Sequence, residues 1–286
     1  MQPGIPEHLL LVAGSGTYPQ LLLDGARRAG VQKISLVAVR GMTIRSLAAL
    51  ADTVCWCGVG EYGRFLDWAQ QCGAKHVAMA GQITPAALFC TRFDAAARDL
   101  LRSLPVKNAH TVFGRTAEHL AARGLQVIPA SMFMGDHLPP PGVLSRRQPD
   151  IREARDLDLG HRVGMAICNL DVGQTVVVKE GMILAVEAFE GTNEAIRRGG
   201  KLGGPGAVVV KVAKVGHDMR FDIPVIGPQT ITMLKRARIS ALAFQARRTV
   251  LLERDEVIAA ADRLDMALIA LDSGLPPAPV RLEENR

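Results

Sequence analysis

The stretch HLLLVAGSGTYPQLLLDGARRAG, His8–Gly30, runs from an apolar segment through a glycine-rich loop into an amphipathic segment. LLLVA, Leu9–Ala13, has the length and composition of a buried strand, and LLLDGARRAG has the spacing of a helix. The alternation continues in the strand-like runs ISLVAV, HVAMA and LQVIPA, with the helical EYGRFLDWAQQCG between the first two. Because parallel strands need crossover connections, this order predicts a Rossmann-like parallel-sheet domain.

The segment HLPPPGVLSRRQPD, His137–Asp150, contains four prolines, one glycine and two arginines in fourteen residues. This composition disfavours regular structure and is typical of an extended connection. Beyond it, strand-like runs such as TVVVKEG and AVVVKVAK alternate with helical ones such as NEAIRRGG and DEVIAAADRL. We therefore predict an α/β protein with a Rossmann-like N-terminal domain over 1–136, a linker over 137–150 and a mixed α/β C-terminal domain over 151–286.

Composition limits the class of protein. The chain has 286 residues, 48% of them hydrophobic, but no apolar run approaches the roughly 20 residues that cross a bilayer. No signal-peptide pattern opens the sequence, which predicts a cytoplasmic protein. Five cysteines at irregular spacings fit neither a disulfide framework nor a zinc knuckle. The net charge of +6 indicates affinity for anions, whereas the aromatic content of 4% argues against nucleic acid.

The loop AGSGTYP, Ala13–Pro19, lies between the first strand and the first helix of the predicted domain. Gly14 and Gly16 would let the backbone approach a phosphate at the N-terminus of that helix. Pro19 stands where the dinucleotide fingerprint has its third glycine, and Arg40 rather than an acidic residue follows the second strand. This pattern disfavours NAD and leaves NADP open. An ordinary tight turn explains the loop equally well.

The stretch VAKVGHDMRFDIPVIGP, Val212–Pro228, places several charges between apolar residues and a Gly-Pro turn. Asp218 and Asp222 are four residues apart and would share a face in either a helix or a strand. Two carboxylates that meet at one point can hold Mg²⁺ or Mn²⁺. The basic residues nearby are candidates for phosphate contacts: Lys211, Lys214 and Arg220. A solvated turn with surface ion pairs would explain the same charges.

A second acidic stretch is EAFEGTNEAIRR, Glu187–Arg198. Thr192 and Glu194 fit the start of a helix, where a hydroxyl and an acidic side chain satisfy free backbone N–H groups. Capping does not explain Glu190. This residue is either a further metal ligand or a surface acid.

Two segments of the second half carry a resemblance to a known family. LDVGQTVVVKEGMILAVEAFEGTNEAIRR, followed by VVVKVAK and HDMRFDIPVIGPQTI, is similar to the core of the UDP-2,3-diacylglucosamine pyrophosphatases of lipid A biosynthesis. This is the type found in bacteria that lack the metallophosphatase version. VAGSGTYP, VAMAGQIT and TVLLERDEVIAAADR also resemble the family, so the similarity runs from near residue 9 to near residue 272. NAHTVFGR, Asn108–Arg115, departs from the acidic sequence of many relatives.

The resemblance implies a Mg²⁺-dependent (or Mn²⁺-dependent) hydrolase. It would cleave UDP-2,3-diacylglucosamine to UMP and 2,3-diacylglucosamine 1-phosphate by attack of water on the α-phosphorus, with the lipid held between two domains. Asp222 falls on the aspartate of the family's RFD motif and is interpreted as a metal ligand or water-orienting base, with Asp218 and Glu190 as further metal ligands. The predicted substrate-binding residues are Gly14, Ser15, Gly16, Gln82, Gln174, Thr192, Asn193, Lys211, Lys214 and Arg220.

The positive net charge favours a peripheral location at the anionic surface of the inner membrane, where such a substrate lies. A homodimer is left open. Two other functions remain as alternatives. One is an NADP-dependent oxidoreductase built on the AGSG loop and Arg40, and the other is a regulatory protein that senses a nucleotide through the same loop.

Overall fold

The computed structural model describes residues 4–83, 92–106, 109–213, 220 and 223–272. Asp218, Asp222 and Lys214 lie outside these ranges. Within them the chain forms two compact units. The first comprises the described residues up to Gly135 together with Arg220, and the second comprises 136–213 and 223–272. In the described part of the chain, no helix combines the length and the apolar character that a membrane crossing would need.

The first unit is built around a five-stranded sheet in the order β3-β2-β1-β4-β5, in which every pairing is parallel. Its strands are β1 (His8–Ala13), β2 (Lys33–Val39), β3 (Thr53–Cys57), β4 (His76–Ala80) and β5 (Gln126–Val127). Its helices are α1 (Tyr18–Ala29), α2 (Arg45–Ala48), α3 (Tyr62–Gln71), α4 (Ala95–Ser103) and α5 (Ala109–Ala121). The parallel N-terminal sheet is therefore confirmed.

The central strand β1 is almost wholly buried because it is covered on both faces. Leu10 packs with Val37 and Val77 in an apolar cluster on one face. Helix α1 buries Leu22, Leu23 and Ala26. Gly30 caps its C-terminus with a φ of 102°, a left-handed conformation that glycine adopts without strain.

The second unit contains a six-stranded mixed sheet in the order β6-β13-β11-β9-β7-β8. Its strands are β6 (Gly142–Val143), β7 (Thr175–Lys179), β8 (Met182–Val186), β9 (Ala207–Lys211), β11 (Ile239–Gln245) and β13 (Ala267–Leu271). A separate parallel pair joins β10 (Val225–Ile226) to β12 (Val250–Leu251). The helices are α6 (Ile151–Asn169), α7 (Thr192–Gly203), α8 (Pro228–Arg236) and α9 (Arg254–Arg263). The predicted mixed α/β C-terminal domain is confirmed.

Helices cover both faces of this sheet. On one face, α6 lies so close that a Cβ atom on Gly160 would be 2.6 Å from Val210 Cγ2. On the other face, Val177 and Val209 pack in one apolar cluster with side chains of α7, α8 and α9. Successive side chains of a strand point to opposite faces, so each residue of β7 and β9 faces either α6 or the layer of α7, α8 and α9.

Most of the segment predicted to be a linker is attached to the second unit. Gly142–Val143 forms β6, which pairs with β13, and the N–H of Leu144 donates to Leu268 O at 2.8 Å. The Leu268 N–H in turn donates to Ser145 Oγ at 2.8 Å. Composition predicted irregular structure here, but the prolines of the segment flank the paired residues and remove no ladder donor. The exact domain boundaries stay a prediction.

A buried ion pair fixes the end of the same segment to helix α6. Arg147 donates to both carboxylate oxygens of Glu153, at 2.8 and 2.9 Å. Burial opposes the ionisation of Glu153, but hydrogen bonds with Arg147, Ser240 and the Asp150 N–H outweigh it and hold its pKa below the ordinary value. Asp150 and Glu153 also form the capping box that starts α6.

Candidate active site

Three polar residues lie side by side at one edge of the C-terminal sheet. Lys211 ends β9 and is the register partner of Thr175, which begins the antiparallel β7. On the other side of Thr175, its carbonyl accepts the N–H of Glu187 at 2.8 Å. We call Glu187, Thr175 and Lys211 the polar row. Cross-strand neighbours point to the same face, here the face covered by α7 and α8.

Lys211 is the basic member of the polar row and is only 9% exposed. Its Nζ donates to Val225 O at 3.3 Å. Val225 lies just before Gly227, the N-cap of α8, and Pro228 is the first residue of that helix. An ammonium group and a helix N-terminus can both attract an anionic ligand. Phosphate is such a ligand.

Glu187 is the acidic member of the polar row and is also buried. Its Oε1 accepts the hydroxyl of Thr192 at 3.0 Å, and its Oε2 accepts the N–H of Gln174 at 3.4 Å. A Cβ atom on Gly173 would lie 2.1 Å from Glu187 O, so only glycine allows the two loops to approach this closely. The fold thus brings Gln174 and Thr192 together around Glu187. Asn193 follows Thr192 in the first turn of α7 and is exposed.

Glu190 has partners within the protein. Arg198 Nη2 donates to its Oε1 at 2.6 Å, and the Ala188 N–H donates to its Oε2 at 3.2 Å. Backbone hydrogen bonds, its own N–H first, together with Arg198 hold the pKa of Glu190 below the ordinary value. The ion pair with Arg198 explains Glu190 without a metal, and its role as a metal ligand stays a prediction.

The structure describes only part of the charged stretch Val212–Pro228, which follows β9. The chain leaves β9 through Ala213, whose N–H donates to Gln245 Oε1 at 2.8 Å. Arg220 lies in a turn, is partly buried and has at least one interaction partner. Within the described ranges, no three histidine, cysteine, aspartate or glutamate side chains are grouped as a metal site. The roles of Asp218, Asp222 and Lys214 stay predictions.

Sequence reasoning left Thr175, Glu187 and Gln245 without an assigned role. The available signal was a polar residue in the first or last position of an otherwise apolar strand. Gln245 ends ISALAFQ, and Thr175 begins TVVVK. A polar side chain that is buried at the end of a strand needs partners, and such partners are often other site residues.

The glycine loop of the first unit packs against a second loop, which contains Gln82. Ser15 and Gln82 exchange two backbone hydrogen bonds, at 2.9 and 3.1 Å, and Ser15 Oγ donates to Gln82 O at 3.1 Å. A Cβ atom on Gly14 would lie 2.5 Å from Gln82 O. Close loop packing therefore explains Gly14 without a ligand. Gly16, with φ of 93°, faces open space, and phosphate binding by this loop stays a prediction.

Arg40 is held by an acidic residue of its own unit. Its guanidinium donates to both carboxylate oxygens of Glu61, at 2.8 and 2.9 Å, and to Trp56 O at 3.0 Å. The NADP alternative needs this side chain for the 2′-phosphate of the cofactor. The geometry does not support that alternative.

Comparison with known sequences decides the family. The sequence model of the LpxI N-terminal domain matches residues 8–137, and that of the LpxI C-terminal domain matches residues 140–269. The chain belongs to the LpxI family. A relative from Caulobacter vibrioides, the UDP-2,3-diacylglucosamine pyrophosphatase LpxI, is 31% identical over 277 residues, which are 92% of this chain and 96% of the relative. The resemblance to this family is confirmed.

Solved structures add nothing to this assignment. The biotin carboxylase domain of the Hydrogenobacter thermophilus 2-oxoglutarate carboxylase is 14% identical, with a TM-score of 0.27 over 61% of this chain and 35% of that chain. The biotin carboxylase subunit of pyruvate carboxylase has the same identity and TM-score over 68% of this chain and 42% of that chain. The LpxI-family chain thus spans less than half the length of these proteins, and so weak a likeness carries no functional argument.

Proposed function

We propose that this chain hydrolyses the pyrophosphate bond of UDP-2,3-diacylglucosamine, giving UMP and 2,3-diacylglucosamine 1-phosphate, a step of lipid A biosynthesis. The observation that carries the proposal is the similarity to the Caulobacter vibrioides LpxI along nearly the whole length of both chains. The polar row supports it, because a buried lysine beside a helix N-terminus suits a diphosphate group.

Hydrolysis of a phosphoanhydride needs neutralised phosphate oxygens and a water held in line with the bond that breaks. In our proposal, Lys211 and the first turn of α8 attract the phosphate oxygens, with Lys214 and Arg220 as further basic contacts. Asp222 orients the attacking water and accepts its proton. Gln174, Thr192 and Asn193 of the second unit contact the nucleotide or sugar in this proposal. Gln82, in the first unit, stays a sequence-based prediction for the same role.

Metal dependence rests on residues outside the described ranges. Glu190 is engaged by Arg198, and the described residues alone do not form a cation site. We propose that Asp218 and Asp222 hold Mg²⁺ or Mn²⁺, with Glu190 as a further ligand if it leaves Arg198. A bound divalent cation would neutralise charge on the non-bridging oxygens.

The proposed reaction is tested by hydrolysis of UDP-2,3-diacylglucosamine in ¹⁸O-labelled water. Attack on the α-phosphorus breaks its bond to the bridging oxygen and leaves that oxygen on the sugar phosphate. We therefore expect the label in UMP and none in the lipid phosphate, as read by mass spectrometry. Activity should disappear with a chelator and return with Mg²⁺.

Three outcomes would count against parts of this proposal. Label in 2,3-diacylglucosamine 1-phosphate would mean attack on the β-phosphorus. Full activity in the presence of chelator would exclude a role for a divalent cation in the reaction. An absence of UMP under every condition would overturn the hydrolase function itself.

Two neighbouring loops of the second unit support contact with a membrane. Leu170 and Val172 precede Gly173, which packs against the backbone of Glu187, and Phe189 lies on the second loop. Leu170 is 75% and Phe189 is 98% exposed. Exposed apolar side chains beside a polar site favour a surface that contacts lipid. We propose that these loops hold the polar row at the membrane surface, where a diacylated substrate lies.

Replacing Phe189 by serine should weaken binding to vesicles by at least about fivefold, because the ring loses its apolar contact with lipid. Flotation with phosphatidylethanolamine and phosphatidylglycerol vesicles measures this. Leu202→Ser is the matched control, since Leu202 is 66% exposed but lies at the opposite end of α7. Equal losses in both variants, or none in either, would contradict the assignment of this surface.

A further inference from the structure

We infer that Glu187 is a positioning residue that sets the direction of the Thr192 hydroxyl, so that Thr192 accepts a hydrogen bond from the substrate. The inference rests on the proposed function and deepens it. It assigns the ligand of Thr192 by chemistry, as an O–H or N–H donor of the sugar or the uracil rather than a phosphate oxygen.

The direction of the hydroxyl follows from its contacts. Thr192 has one hydroxyl proton, and the structure directs it to Glu187 Oε1 at 3.0 Å. Thr175 Oγ1 lies 3.4 Å from Thr192 Oγ1, a long contact in which Thr175 would be the donor, since the proton of Thr192 is already engaged. The hydroxyl of Thr192 is thus directed at the Glu187 carboxylate, with the Thr175 hydroxyl on its other side.

Thr192 has at least one lone pair left for a ligand, even when it accepts from Thr175. A phosphate oxygen carries no proton to donate and would be repelled by that lone pair. A sugar hydroxyl, an amide N–H or the uracil N–H can donate to it. The oriented hydroxyl therefore discriminates among parts of the substrate, which a freely rotating hydroxyl does not.

The carboxylate is itself held in place. Its Oε2 accepts the Gln174 N–H, its backbone N–H donates to Thr175 O, and Gly173 packs against its carbonyl. Glu187 is only 7% exposed, so solvent does not compete for its oxygens. These contacts prevent the side chain from swinging away from Thr192. They also mean that Glu187 stabilises the loops, and the test must separate the two roles.

A double-mutant cycle on Glu187 and Thr192 provides the test. Glu187→Met removes both acceptors at similar volume, and Thr192→Val removes the hydroxyl at equal shape. We expect each single change to raise KM about tenfold while kcat stays within a factor of about two, because the lost contact lies away from the bond that breaks. The double variant should be no worse than Thr192→Val alone.

Two controls accompany the cycle. Thr192→Ser keeps the hydroxyl and should retain a KM near that of the wild type. Glu194→Gln removes an exposed carboxylate of the same helix, paired with Arg197, and should leave both kinetic constants unchanged. Thermal unfolding of every variant is followed in parallel, and kinetics are measured well below the lowest Tm.

The KM and Tm values of these variants distinguish a positioning role of Glu187 from a purely structural one. Normal KM in Thr192→Val, or losses in the double variant equal to the product of the single losses, would overturn the inference. A lower Tm in Glu187→Met with unchanged KM would mean that Glu187 is only structural. If Glu187→Met does not fold, a raised KM in Thr192→Val with rescue by Thr192→Ser supports the inference, and an unchanged one overturns it. A wild-type protein that releases no UMP would overturn the proposed function and this inference with it.

Discussion

Replacing Lys211 by methionine is expected to lower kcat for UDP-2,3-diacylglucosamine by about 10²–10³-fold. The substitution keeps the length and apolar stem of the side chain but removes the ammonium that we propose to stabilise the phosphates. Because charge on the phosphoryl oxygens must be neutralised throughout the reaction, loss of this cation should affect turnover more than substrate binding. Release of UMP, measured at saturating substrate, gives the value.

The chain offers a matched control for this experiment. Lys179 also ends a valine-rich strand, but it lies at the opposite end of β7 from Thr175, where its Nζ donates to Gly203 O at 2.7 Å. Lys179→Met should therefore leave kcat near the wild-type value, although both variants lose one positive charge. Similar kcat values in the Lys211 and Lys179 variants would remove Lys211 from the proposed chemistry.

Replacing Asp222 by alanine is expected to lower kcat by at least about a hundredfold, in line with the loss of a general base. Asp222 lies outside the described residues, so the expectation rests on its place in the RFD motif and on the basic residues around it in the sequence. The fold and the affinity for UMP should be retained. Circular dichroism and calorimetric titration with UMP check these two points.

Asp255→Ala is the control for Asp222, because Asp255 is an exposed carboxylate at the start of α9. It should leave kcat unchanged. A folded Asp222→Ala enzyme with near-normal turnover would exclude Asp222 from the mechanism, even if the overall reaction is as proposed.

The local patterns of the first unit were sufficient to predict its parallel sheet. Leu9–Ala13 and Ile34–Val39 are apolar runs separated by a helical pattern, and a crossover of that length leaves parallel pairing as the favoured arrangement. The glycine loop was harder to interpret. Gly14 fits a phosphate loop and a close contact with Gln82 equally well in sequence, and only the fold shows that the contact is made.

Composition predicts the irregular backbone of most of the proline-rich segment but not its short strand. Prolines predict irregular backbone, yet β6 forms at Gly142–Val143 because it pairs with the side of β13 that faces away from β11. A strand of two residues has no periodicity to detect, and its partner lies more than a hundred residues away in the sequence. Such pairing is decided by the rest of the sheet and not by the segment itself.

The sequence by itself determined that residues 151–286 contain apolar strands, among them TVVVK and AVVVK, and that lysines end both. The charged stretch that follows Lys211 singled it out as a candidate phosphate contact, but the sequence could not show where Lys179 lies relative to it. The tertiary structure decides their placement by pairing β7 antiparallel to β9, which sets Lys211 beside Thr175 and Lys179 at the opposite end of β7. The physical reason is that strand direction depends on connections and packing across the whole sheet, whereas a five-residue pattern carries information only about its own burial.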